Sequence, residues 1–233
     1  MITAVLFDFD GLLVDSESVF FTIYRNLLAD HGHDFTTADY LSAHAGTPIP
    51  EIVSAFQRIY HLPLSHEEAC KRIEAEELRV RTQGIALKPG AVELLDHLRL
   101  KGLAVAVASS SPRTRVWSML EAHGIAEHFR TSAHGEEVTR SKPDPEIFLL
   151  AASRLGVPPE NCLVLEDSEM GIEAGHAAGM TVVCVPDMKT PDRAHRALTA
   201  AVLPSLRDVI SFLDEGGAGS SPSPDPGRSA ARG

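Results

Sequence analysis

The sequence has few cysteines and few basic residues, and both shortages limit what the protein can do. Its 233 residues include only three cysteines, Cys70, Cys162 and Cys184, which lie far apart. They form neither a C-x-x-C metal motif nor a disulfide framework, so we expect three reduced core thiols in a cytoplasmic protein. Lys and Arg number 21 against 32 Asp and Glu, which gives a formal net charge of −11. This charge argues against a nucleic-acid polymer as a partner, because such binding needs a basic surface.

Long apolar runs are missing as well. No window approaches the ~18 consecutive apolar residues that a membrane span needs. The N-terminus has no basic stretch, and Asp8 and Asp10 interrupt any apolar signal core. We therefore expect no membrane partner. Residues 215–233 are rich in Gly, Ser, Pro and Ala, cannot bury enough apolar surface to offset their ordering entropy, and are predicted to be a disordered tail.

Apolar segments alternate with amphipathic segments over most of the chain. Strands are predicted at 2–7, 103–109, 129–133, 162–168, 181–187 and 200–203, and helices at 91–101, 112–123, 144–155, 169–178 and 204–214. Strands that alternate with helices imply a parallel sheet covered on both faces. The predicted fold class is therefore α/β, a doubly wound, Rossmann-like parallel sheet.

Residues 17–83 interrupt this alternation with helical patterns alone, at 17–31, 37–44, 48–60 and 65–83. They lie between the first strand and the rest of the sheet. We therefore predict two domains and a tail: an α/β core at 1–15 and 84–214, an inserted all-helical domain at 16–83, and the tail at 215–233.

Polar residues follow three of the predicted strands. They occupy 8–11 (DFDG), 109–111 (SSS) and 166–168 (EDS), and Ser-Lys-Pro at 141–143 precedes a helix. Open parallel sheets bind ligands outside the carboxyl ends of their strands. The sequence therefore predicts one site that gathers carboxylates, hydroxyls and an ammonium.

This combination of groups favours phosphoryl transfer. Four carboxylates at one sheet edge would repel each other unless a cation neutralised them, and Mg²⁺ prefers oxygen ligands. Lys142 and Ser109 suit the oxygens of a phosphate. In the first pair, one aspartate can attack phosphorus and the other can transfer a proton.

The four segments resemble, in order, motifs I to IV of the haloacid dehalogenase superfamily. The resemblance is carried by DFDG, by LAVAVAS ending at Ser109, by SKPDPEIF from Ser141, and by LEDS ending at Ser168. It covers about residues 1–214, and the helical insertion sits where that family has its C1 cap. The ordered set is specific, whereas D-x-D alone is a weak signal.

The resemblance implies a role for each matching residue. Asp8 would be the nucleophile and Asp10 the general acid/base. Ser109 and Lys142 would hold the phosphoryl group, together with the amide of Ser110.

The resemblance also implies a Mg²⁺ site. Asp8 and Asp167 would bind the ion through their carboxylates and Asp10 through its backbone carbonyl. Glu166 would act beside them through a water molecule.

At three positions the sequence departs from the patterns of dehalogenases or mutases within this superfamily, and these departures narrow the possible activities. Dehalogenases have no aspartate at the position of Asp10. Mutases of the β-phosphoglucomutase type need a histidine where this chain has Phe20, and a basic residue in the cap loop, which here reads HAGTPIPE (44–51). A phosphatase is therefore favoured, with a sugar phosphomutase and an inactive phosphate-binding module as the alternatives.

Three stretches resemble the branch of pseudouridine-5′-phosphatase and 2-deoxyglucose-6-phosphatase: DFDGLLVDSE (8–17), LPLSHEEA (62–69) and VLEDSEMGIEAGHAAGMTVVCVPD (164–187). This resemblance implies a small phosphorylated metabolite, a sugar phosphate or nucleoside monophosphate, as the substrate, and a monomer or weak dimer.

Four further charged residues lie near the predicted site. Asp15 and Glu17 are interpreted as hinge and helix-start residues, because acids suit a helix N-terminus. Arg113 and Arg115 are interpreted as a solvated helix face.

Overall fold

We analysed the protein in a computed structural model, which describes residues 1–43 and 47–216. The first three residues of the cap loop HAGTPIPE and residues 217–233 of the predicted tail lie outside the described residues.

The described residues form one parallel sheet of six strands in the order β3-β2-β1-β4-β5-β6. The strands are β1 (Ala4–Phe7), β2 (Ala104–Ser109), β3 (Thr131–His134), β4 (Cys162–Glu166), β5 (Thr181–Cys184) and β6 (Ala201–Val202). β1 lies in the middle, with Phe7 paired to Val107 on one side and to Leu165 on the other. The predicted α/β fold class is confirmed.

Helices cover both faces of the sheet. They are α5 (Ala91–Leu100), α6 (Arg113–Ala122), α7 (Glu146–Leu155), α8 (Glu169–Ala177), α9 (Arg193–Arg196) and α10 (Leu206–Asp214). Val5 and Phe7 belong to the apolar cluster formed with α5, α6 and α10, whereas Ala4 and Leu6 belong to the cluster formed with α7 and α8. Successive side chains of a strand point to opposite faces, so a strand covered on both sides must be apolar throughout.

Residues 17–83 are helical, as predicted, in the parts that the structure describes. The helices are α1 (Ser16–Ala29), α2 (Thr37–Ala43), α3 (Ile49–Tyr60) and α4 (His66–Gln83). They share a third apolar cluster, in which the rings of Tyr24 and Phe56 meet edge to face with centroids 5.6 Å apart. The division into a core domain and a cap domain remains a prediction.

The two chain segments that connect the sheet with these helices run side by side. The amide of Asp15 donates to the carbonyl of Ala86 at 3.0 Å, and the amide of Lys88 donates to the carbonyl of Leu13 at 2.9 Å. Val14 also bridges Leu87 in antiparallel fashion. This paired connection brings α1 and α4 back over the carboxyl end of β1. None of the helices between 1–43 and 47–216 has the length and apolar character needed to span a bilayer.

Candidate active site

The order of the strands brings three of the predicted polar segments together. β1 lies between β2 and β4, and the amide of Asp8 donates to the carbonyl of Leu165 at 3.0 Å. Asp8, Ser109 and Glu166 therefore meet at one edge of the sheet. All three are buried, with 8%, 1% and 0% of their surface exposed.

Lys142 joins this edge from the loop before α7. Its Nζ lies 2.5 Å from Oδ1 of Asp8 and 2.6 Å from Oε1 of Glu166, and it donates to the carbonyl of Ala108 at 3.2 Å. Burial by itself lowers the pKa of the Lys142 ammonium, but the charges of Asp8 and Glu166 raise it well above its usual value. One lysine is therefore shared by two buried carboxylates, and the three groups together keep a net negative charge when both carboxylates are ionised.

The Asp8 carboxylate is held in an unusual electrostatic state. Burial raises its pKa to about 7, the charge of Lys142 works in the opposite direction, and the charge of Glu166 adds to the rise. A further positive charge beside Asp8 would favour its ionised form, which is the nucleophilic one.

Glu166 is fully engaged by its neighbours. Besides the bond from Lys142, its Oε2 accepts hydrogen bonds from the amides of Asp167 (3.0 Å) and Ser168 (3.1 Å) and from the Ser168 hydroxyl (2.9 Å). A Cβ at Gly171 would lie 1.9 Å from Cδ of Glu166, so only glycine leaves room for this carboxylate. The geometry lets Glu166 orient Lys142, and its water-mediated contact with a metal stays a prediction.

Asp10 is paired with an arginine that sequence reasoning had dismissed. Oδ2 of Asp10 accepts hydrogen bonds from the Ser111 hydroxyl at 2.6 Å and from Nη1 of Arg115 at 2.8 Å, and Nη2 of Arg115 lies 2.8 Å from Oδ1. The Arg115 side chain is only 12% exposed, so the interpretation as a solvated residue is wrong. Arg113 is exposed, as expected, and lies over the Trp117 ring. The two arginines differ because helix positions two apart do not face the same way.

The serine loop after β2 is supported from behind by the end of β3. Oγ of Ser109 accepts a hydrogen bond from the amide of Ser111 at 3.0 Å. A Cβ at Gly135 would lie 2.4 Å from the carbonyl oxygen of Ser110, so the backbones approach closely there. Nδ1 of His134 lies 3.3 Å from the carbonyl oxygen of Ser111. These contacts fix the loop whose Ser109 hydroxyl and Ser110 amide are predicted to bind phosphate.

Oxygen atoms suited to a hard cation lie close together beside Gly11. A Cβ at Gly11, where φ is +81°, would lie 2.3 Å from Oδ2 of Asp167 and 3.4 Å from Oδ2 of Asp187. Lys88 binds Oδ1 of Asp187 at 2.5 Å, while the buried Oδ2 has no hydrogen-bond partner among the described residues. Burial raises the pKa of Asp167 well above its usual value, and the charges of Glu166 and Asp8 add to this rise. A divalent ion with oxygen ligands would relieve this repulsion, so the residues present fit Mg²⁺.

Asp187 was missed by sequence reasoning. It follows β5 closely in CVPD (184–187), so the rule that polar residues after strands mark the site could have found it.

The helical insertion also places a charged residue near the predicted metal site. The Tyr40 hydroxyl on α2 donates to Oε2 of Glu17 at 2.6 Å, and the charge of Glu17 contributes to the raised pKa of Asp167. Glu17 does lie in the first turn of α1, but its carboxylate also acts on the predicted metal site. Asp15 lies 3.8 Å from Lys88, at the connection between the sheet and α1.

Comparison with known proteins gives a family match over most of the chain. The model of the haloacid dehalogenase-like hydrolases matches residues 5–185. A phosphorylated carbohydrates phosphatase of Thermotoga maritima is 34% identical over 213 residues, which cover 91% of this chain and 98% of that protein. A probable pseudouridine-5′-phosphatase of Drosophila melanogaster is 33% identical, over 89% of this chain and 91% of that protein.

The fold is also similar to that of a solved structure. The crystal structure of a putative beta-phosphoglucomutase from Thermotoga maritima superposes with a TM-score of 0.79 at 30% identity, covering 92% of this chain and all of that one. The branch expected from the sequence motifs is therefore confirmed.

Proposed function

This chain belongs to the haloacid dehalogenase-like hydrolase family, and from this premise we propose that it is a Mg²⁺-dependent phosphatase of small phosphomonoesters. The observation that carries the proposal is the buried contact of Asp8 with Lys142. Lys142 also donates to the carbonyl of Ala108, next to Ser109, and the charge of Asp10 acts on Asp8. Such a cluster provides a nucleophile, groups that bind phosphate and a proton carrier in one place.

In the first step, an oxygen of Asp8 attacks phosphorus and an aspartyl-phosphate forms while the bond to the leaving oxygen breaks. Lys142, the Ser109 hydroxyl and the Ser110 amide hold the phosphoryl oxygens. Asp10 donates its proton to the leaving oxygen, so that a neutral alcohol departs.

In the second step, Asp10, now ionised, takes a proton from water as the water oxygen attacks phosphorus. The bond between phosphorus and the Asp8 oxygen breaks, inorganic phosphate leaves, and Asp8 is again a carboxylate. Glu166 keeps Lys142 in place throughout, because its other hydrogen bonds fix it to the backbone after β4.

Asp8 and Asp167, with the backbone carbonyl of Asp10, would hold the Mg²⁺. When bound, the ion neutralises the charge of the carboxylates and of the phosphoryl oxygens. Asp187 lies next to this position and would add negative charge beside it.

A sugar phosphate or nucleoside monophosphate is the substrate class that we propose, as the names of the two phosphatases similar to this chain support. A cytoplasmic location and a monomeric or weakly dimeric state stay predictions.

A sugar phosphomutase is the second candidate, favoured by the similarity to a protein named putative beta-phosphoglucomutase. Two observations argue against it. Phe20 packs on Tyr24, with centroids 5.9 Å apart, where such mutases have a histidine. The sequence HAGTPIPE also has no basic residue other than His44, which lies outside the described residues.

The proposal is tested with p-nitrophenyl phosphate and a panel of sugar phosphates and nucleoside monophosphates, with and without Mg²⁺, for the wild type and Asp8→Asn. We expect Mg²⁺-dependent release of phosphate that the variant loses by about 10²-fold or more, because the nucleophile is gone. Activity that survives in Asp8→Asn would exclude the aspartyl-phosphate. Interconversion of sugar 1- and 6-phosphates without release of phosphate would favour the mutase, and binding of the panel without any turnover would favour the inactive module.

A further inference from the structure

The Asp10 carboxylate is held by one side chain that belongs to none of the four motifs. Arg115, in the first turn of α6, reaches both carboxylate oxygens with its two terminal nitrogens, each at 2.8 Å. A planar guanidinium that contacts both oxygens fixes the orientation of a carboxylate as well as its distance. The separation of 105 positions in sequence hides this contact from any local motif.

The two oxygens of Asp10 are not equivalent. Oδ2 accepts hydrogen bonds from Ser111 and from Nη1 of Arg115, whereas Oδ1 is buried and accepts no hydrogen bond from the described residues. Oδ1 has only the ion-pair contact with Nη2. The carboxyl group is therefore anchored through Oδ2, whereas Oδ1 keeps lone pairs that no hydrogen bond from the described residues uses.

Arg115 also ties this arrangement to the helical insertion. Its Nε lies 3.6 Å from Oε1 of Glu77 on α4, and both side chains are largely buried, with 12% and 17% of their surface exposed. Glu77 places a second carboxylate beside the guanidinium, so Arg115 is held both by the core and by the helical insertion.

We propose that Arg115 is a positioning residue that orients the Asp10 carboxyl group for proton transfer to the leaving oxygen, with Glu77 holding Arg115 in place. This inference rests on the proposed function, because it assigns to Asp10 the role of general acid. Its effect must depend on the leaving group. An alkoxide of a sugar needs a proton in order to depart, whereas p-nitrophenolate departs as an anion near neutral pH, so only the sugar phosphate depends on a well-placed Asp10.

The test compares kcat/KM, which reports the steps up to the first irreversible release, for p-nitrophenyl phosphate and for the best-hydrolysed sugar phosphate of the panel. In Arg115→Gln we expect kcat/KM for the sugar phosphate to fall about tenfold or more, a part of what a general acid contributes. For p-nitrophenyl phosphate we expect a change within about threefold, so the ratio of the two constants carries the result.

Arg113→Gln is the matched control, because Arg113 lies on the same helix, is exposed and contacts Trp117 instead of Asp10. It should leave both constants and their ratio unchanged. Arg115→Lys keeps the positive charge but not the contact of two nitrogens with Asp10. Glu77→Gln keeps Arg115 but removes the charge of its partner. Both variants should shift the ratio of the two kcat/KM values less than Arg115→Gln does.

An equal fall for both substrates, no change, or a rise for the sugar phosphate in Arg115→Gln would overturn the proposal. If Arg115→Gln does not fold by circular dichroism, the ratio in Arg115→Lys decides, and an unchanged ratio is a refutation. Failure of the proposed function is distinguishable, since the wild type itself would then hydrolyse neither substrate.

Discussion

The two sides of the candidate site are built differently. The side of the sheet, formed by Asp8, Lys142 and Glu166, is buried, and its ion pairs are 2.5 and 2.6 Å long. On the side of the helical insertion, half-exposed Glu17 accepts a hydrogen bond from the Tyr40 hydroxyl at 2.6 Å, and Arg115 meets Glu77 in a looser contact of 3.6 Å. A buried charged group is costly to leave without its partner, whereas a partly exposed group tolerates the loss because water replaces the partner. For the proposed phosphatase, this difference predicts a rigid end of the site for the phosphoryl group and an adaptable end for the rest of the substrate.

The largest effect is expected from a substitution on the buried side of the site, next to the sheet. Gly171→Ala places a Cβ 1.9 Å from Cδ of Glu166, which its hydrogen bonds prevent from moving. We expect the free energy of unfolding to fall by about 3 kcal/mol, at the upper end of overpacking effects, and the phosphatase activity to fall with it.

Urea unfolding of Gly171→Ala measures the loss of stability. Met170→Ala, at an exposed position of the same helix, is the control and should differ little from the wild type. A Gly171→Ala protein as stable and active as the wild type would contradict the rigidity of the buried side.

A smaller effect is expected on the side of the insertion. Tyr40→Phe removes the 2.6 Å hydrogen bond to Glu17 and leaves the apolar ring contacts of Tyr40 in place. Because Glu17 is half-exposed and water can replace the hydroxyl, we expect a loss of about 1 kcal/mol in the free energy of unfolding. Urea unfolding measures this loss, and one as large as that of Gly171→Ala would remove the contrast between the two sides.

The smallest expected effect is a pH dependence of stability that arises from His134, which lies next to the serine loop. Burial lowers the pKa of His134, so the unfolded chain binds a proton there before the folded protein does. His134 therefore contributes stability above its unfolded pKa of about 6.5, and this contribution is lost as the pH falls below that value. In His134→Asn, urea unfolding should show a shallower fall of stability between pH 7 and 5 than in the wild type.

His195 provides a control of opposite sign. Hydrogen bonding to Asp192 raises its pKa, so it contributes stability below its unfolded pKa and loses this as the pH rises through the folded pKa. His195→Asn should therefore make the acid side of the stability curve steeper. If the slope of stability against pH changed in the same direction in both variants, His134 would not be the source of the pH dependence.

Much of the fold followed from local patterns. The apolar runs predicted all six strands of the sheet, because strands buried on both faces must be apolar. The predicted ends of the strands were less accurate. The strand predicted to run through Ser168 ends at Glu166, and the strand predicted to run through Asp187 ends at Cys184. α9 was not predicted, because four residues are too few for a helical pattern, and its start depends on the cap that Asp192 provides.

The sequence by itself determined which polar groups follow the strands, since Asp8, Ser109 and Asp167 stand at the ends of apolar runs. Only the tertiary structure determined which partners these polar groups have. It paired Lys142 with Glu166 and Asp10 with Arg115, and it brought Asp187 to the predicted metal site. The physical reason is distance along the chain: strand ends are local patterns, whereas these partners meet only after the crossovers have set the strand order and the insertion has packed over the sheet.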